Sequence, residues 1–121
     1  MGFNEMISTV KLASNLSDTE SKDALEMMVE SLAVHLPERE RREFAEQLPE
    51  ELRDIALSVM ATEENSRMDI VKQFMLIEHI SRGRAKRQII SAWRALKRTI
   101  DITKLEHIKR FVPRSSLTLL S

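Results

Sequence analysis

A chain of 121 residues, 42% hydrophobic and 31% charged with only two Gly and three Pro, excludes a disordered or fibrous protein and reads as one helix-rich domain. The absence of cysteine excludes a disulfide framework and thiolate chemistry, and fits a reducing cytosol. The formal net charge is zero, but its distribution along the chain is uneven.

The opening stretch MGFNEMISTVKLASN has acidic and polar residues where a secretory signal needs a basic start and a continuous apolar run. Nothing in the chain approaches the roughly 20 consecutive apolar residues of a membrane span. The expectation is therefore a cytoplasmic protein with no transmembrane segment. Within 3–15, Phe3, Met6, Ile7, Val10 and Ala13 recur at the spacing of one helical face. Ser17 with Glu20 three residues on forms a capping box, which opens a second helix carrying Leu25, Met28, Val29, Leu32 and Leu36. Pro37 closes that helix. ERERREFAEQL forms a shorter third one that offers the core little beyond Phe44, Ala45 and Leu48. LPEEL starts a fourth, with Pro49 at the first helical position and Glu50 and Glu51 beside the positive end of the helix dipole. ATEENSR, 61–67, is a polar joint.

Beyond the joint the pattern recurs. Displaced by 64 positions and without a gap, Met6 falls on Ile70, Val10 on Phe74, Ala13 on Ile77, Leu25 on Ile89, Val29 on Trp93, Leu32 on Leu96 and Leu36 on Ile100. Identities are few, among them Ser17 with Ser81 and Pro49 with Pro113. The expected fold class is all-α, a helical bundle of two tandem, pseudo-symmetric repeats of three to four helices. They form a single domain over 1–121, with repeats at about 3–60 and 68–121.

The stretch DALEMMVESLAVHLPERERREFAEQLPEEL resembles a bacterial family, the domain of unknown function 2267 family, in which a long amphipathic helix precedes a short charged helix ending in Gln47-Leu48-Pro49. QIISAWRALKRTIDITKLEHIKRFVPRSSL resembles it more weakly, with Phe111-Val112-Pro113 at the corresponding turn. The resemblance implies an all-helical domain of two related halves and no established activity.

The segment 82–100, RGRAKRQIISAWRALKRTI, carries seven Lys/Arg around the single tryptophan. In helical projection Ile89, Trp93, Leu96 and Ile100 share one face, which predicts Trp93 in the core near Phe74 and Ile77. Arg84, Arg87, Arg94, Lys97 and Arg98 lie mainly away from that face and are the candidate partner-binding residues. The two halves are oppositely charged. Residues 1–64 hold 6 Lys/Arg against 15 Asp/Glu, a formal −9, and residues 65–121 hold 13 against 4, a formal +9. Such a field steers association over about 10 Å at ordinary salt.

Signs of catalysis are weak. His35, His79 and His107 are scattered, and no metal-binding spacing or cysteine accompanies them. Gly83 stands alone rather than in a phosphate loop, and the serines of PRSSLTLLS have no histidine motif beside them. The sequence predicts no enzyme, no cofactor and no metal. Two functions stay open. One is a non-catalytic interaction or scaffold module, binding a protein partner or another copy of itself through complementary charged halves. The other is a nucleic-acid-binding protein using the basic second half, a reading opposed by the absence of Tyr and the single, core-facing Trp, which leave few side chains on which bases could stack.

Overall fold

The structure, a computed structural model, describes residues 2–120. These form eight α-helices and no strand: α1 (Phe3–Ser14), α2 (Asp18–Ala33), α3 (Glu38–Glu46), α4 (Glu50–Ser58), α5 (Ile70–Glu78), α6 (Arg82–Thr99), α7 (Ile102–Lys109) and α8 (Arg114–Leu117), with one 3-10 turn at Asn65–Arg67.

Side chains placed at the helix starts set most of these boundaries. Ser17 Oγ accepts the Glu20 N–H at 3.1 Å, as the capping box requires. Ser81 Oγ does the same for the Arg84 N–H at 3.2 Å, and Asp69 for Lys72 at 2.8 Å. Pro37, Pro49 and Pro113 occupy the cap positions of α3, α4 and α8. Pro49 thus stands one place before the first helical position expected for it, with a φ of −56° in the range its ring fixes and an extended ψ of 154°. Two helices end on a left-handed residue other than glycine, Asn15 after α1 and His79 after α5, each with φ 55°. Asn and His tolerate this region better than most side chains.

Amphipathic faces then meet in one core. Met6 and Val10 of α1, Leu25, Met28 and Leu32 of α2, Phe44 of α3, Leu52 of α4, Phe74 of α5 and Ile89 and Leu96 of α6 belong to a single buried cluster, which also takes in Leu105 and Ile108 of α7. α6 packs on α1, α2 and α5, and α5 reaches back onto α2. The end of α2 is tied down by Arg41, which donates to the carbonyls of Ala33 (3.1 Å) and Leu36 (2.9 Å). At the far end, Ser116 Oγ accepts the Ile70 N–H at 3.0 Å and pins α8 to the start of α5.

Trp93 is buried, as its place on the apolar stripe requires. Ile77, expected beside it, is instead 54% exposed, and Ala13 is exposed too. Both lie in the last turn of their helices, just before Asn15 and His79, where the chain has run past the core. Trp93 instead borders a small cavity with Thr118 and Leu119 of the C-terminal segment.

Candidate interaction surfaces

α6 is the longest helix, about 27 Å at 1.5 Å per residue, and buries every side that meets another helix. Its solvent face is a sector about 120° wide carrying Lys86, Arg87, Ile90, Arg94, Lys97 and Arg98, all exposed. Four of the five residues singled out from the sequence therefore form one continuous basic stripe. The fifth, Arg84, projects to another side, where it pairs with Glu20 of α2. Among the described residues no ion pair engages Arg87, Arg94 or Arg98. Ile90, 41% exposed, sits in the middle of the stripe.

The acidic counterpart gathers where α2 meets the end of α5. Burial pushes the Glu78 carboxyl above its ordinary value, and repulsion from Asp23, Glu30 and Glu26 adds to the shift, with His79 opposing it. Leu76 and Ile77, beside it on α5, are more than half exposed.

A third feature was not anticipated. α3 and α7 pack on each other and leave an open groove of about 860 Å³. Glu40 and Glu43 stand on the α3 wall, Lys104, His107 and Arg110 with Asp101 and Glu106 on the α7 wall, and Phe44 and Ile108 lie at the base. Ile102, at the start of α7, is 72% exposed at its edge. Glu40 and Lys104 stand 64 positions apart in the sequence, as do Glu43 and His107. That signal was in the sequence, but only the packing of α3 on α7 makes the two walls neighbours.

The DUF2267 family, described as an uncharacterized conserved protein, matches residues 3–119. The chain belongs to this family. No curated protein and no solved structure matches it.

In this DUF2267 chain the three histidines stay apart, and among the described residues no three His, Asp or Glu side chains are placed to hold a metal ion. His107 makes an edge-on contact with Phe111, ring centroids 5.5 Å apart. His35 lies under the polar joint, where its Nδ1 bonds the Ser66 carbonyl at 2.9 Å and so carries the proton in the neutral ring. The Gln73 carboxamide, facing it from α5, donates to the Asn65 carbonyl at 3.1 Å. His35 Nε2, Gln73 Oε1 and the nearby Ser31 Oγ are buried without a partner. Burial holds the His35 imidazole below its ordinary range, against the Ser66 carbonyl it bonds and the neighbouring Gln73 and Met68, which push it up. No sequence motif marked this group, because its members come together only when 61–67 folds back over α2 and α5. Among the described residues no helix is long and apolar enough to cross a membrane.

Proposed function

We propose that this DUF2267 protein is a non-catalytic interaction module whose α6 face binds an acidic protein surface. The observation that carries this reading is the composition of the stripe: Lys86, Arg87, Arg94, Lys97 and Arg98 surround a half-exposed Ile90. A basic rim around an apolar centre is the make-up of a protein interface, with the charges steering approach and the isoleucine excluding water. Phosphate backbones reward the charges and not the isoleucine. The second reading, nucleic acid, is favoured by the continuity of the stripe and opposed by the aromatic side chains, since Phe3, Phe44, Phe74 and Trp93 are buried and Phe111 is engaged with His107.

The architecture we propose for the module is a tandem pair of related halves. Supporting it, α2 and α6, α3 and α7, and α4 and α8 each begin 64 positions apart. So do the Ser17 and Ser81 caps and the left-handed Asn15 and His79. On this reading the halves have kept one core and diverged in surface charge, and that divergence made one face acidic and the other basic.

The test is a comparison of two labelled polyanions, poly-L-glutamate and duplex DNA, titrated with the protein over a range of salt. The proposal expects poly-L-glutamate to bind at low salt, and the R87E/R94E/R98E variant to lose that binding. DNA bound much more tightly than poly-L-glutamate, with a steep salt dependence, replaces it with the nucleic-acid reading.

A further inference from the structure

The groove between α3 and α7 has an acidic α3 wall and a mixed α7 wall, and the Lys104 and Arg110 cations of the second do not pair with the Glu40 and Glu43 carboxylates of the first. Among the described residues no ion pair spans it. On the α3 wall Glu40 has no ion-pair partner, and Glu43 pairs with Arg39 at 3.4 Å through one of its two carboxylate oxygens. On the α7 wall Lys104 and Arg110 are exposed and make no ion pair among the described residues, and the two acidic side chains beside them have partners of their own. Asp101 accepts the Thr103 N–H at 2.9 Å, and Glu106 pairs with Lys109 at 3.6 Å. At the edge stands Ile102, 72% exposed although the floor beside it is apolar.

We infer that a second copy of the chain occupies this groove. The argument is self-complementarity. When two copies face each other across a two-fold axis that runs along the groove, rotation sets the α3 wall of each opposite the α7 wall of its partner. Glu40 and Glu43 then meet Lys104 and Arg110 of the other copy, twice, and each Ile102 gains an apolar floor to cover it. A single-signed surface repels its own copy, and a bipolar one attracts it in this orientation. The contact is isologous and closes at two subunits. It leaves both α6 stripes open, so the dimer presents two basic faces to an acidic partner. The inference goes beyond the α6 reading and stands on different residues.

The experiment is sedimentation of the full chain and four variants, with circular dichroism confirming that each is folded. Wild type is expected to dimerise, and I102E, at a position already exposed in the single chain, to weaken the dimer about tenfold or more. E40K/E43K and K104E/R110E are each expected to be monomeric, because each sets like charges against one another at the four positions that would pair across the axis. Mixing these two variants is expected to restore a dimer, now of one copy of each. A wild type that stays monomeric at millimolar concentration overturns the inference and leaves the groove to another occupant. So does a dimer indifferent to I102E, or a mixture that stays monomeric. Self-association abolished by R87E/R94E/R98E and untouched by the groove variants also overturns it, while keeping the α6 reading. Binding of poly-L-glutamate by a monomeric wild type likewise separates the two.

Discussion

Glu20 and Arg84 are bonded to each other although 64 positions separate them, and each is the third residue of its helix. The bond links α2 and α6 near their starts and takes Arg84 out of the basic stripe. The guanidinium is the largest of the causes that hold the Glu20 carboxyl below its ordinary value, ahead of Ser17. An NMR titration of the Glu20 carboxyl should therefore show it move up in the R84A variant. An unchanged midpoint would mean that the pair is not formed in solution. Because both positions are exposed, the effect on stability is expected to be slight.

Leu32 and Leu96, also 64 apart, are both fully buried. Each Leu→Ala change should cost about 2 to 5 kcal/mol, as for other core leucines that leave a cavity behind. Urea denaturation measures it. If one of the two changes proved nearly neutral, the two sites would not be equivalent parts of one core.

Much of the fold was legible because it rests on short-range signals. Ser17, Ser81 and the three prolines mark helix starts, and the stripe of Leu25, Met28 and Leu32 faces inward wherever α2 is placed. The outward stripe on α6 followed from the same periodicity. Legibility failed where a residue's fate depends on how far a helix overruns its neighbours. Ala13 and Ile77 fit the pattern and still reach solvent. Arg84 looked like one more surface charge until α2 brought Glu20 to it. The groove and the His35 site needed contacts between helices distant in sequence, and periodicity carries no such information.

His35 gives the protein a dependence on pH. Its imidazole is held below the ordinary value of about 6.5 by burial, so the unfolded chain takes up a proton before the folded one does. Its contribution to stability is therefore full above about pH 6.5 and is lost as pH falls through the lower, folded value. Thermal melts of wild type and H35Q should converge in behaviour above that point, the wild type alone losing ground on this account as the solution is acidified. Parallel pH profiles would show that the ring is not buried as described.

Glu78 works in the opposite sense. Its raised folded value means that ionisation at neutral pH costs stability, which returns as pH falls through that value. The residue also ends α5, where a negative charge faces the negative end of the helix dipole. E78Q should be more stable than wild type at pH 7, and the gain should shrink in acid. A less stable E78Q would indicate that the carboxylate is held by a favourable contact.

The recognition role of α6 is tested most directly by mapping NMR chemical-shift changes as poly-L-glutamate is added to labelled protein at low salt. The account predicts that the changes centre on the exposed face of α6, on Lys86, Arg87, Ile90, Arg94 and Arg98, and fade as salt is raised. Changes centred on α3 and α7 instead, or spread over every lysine and arginine alike, would contradict it.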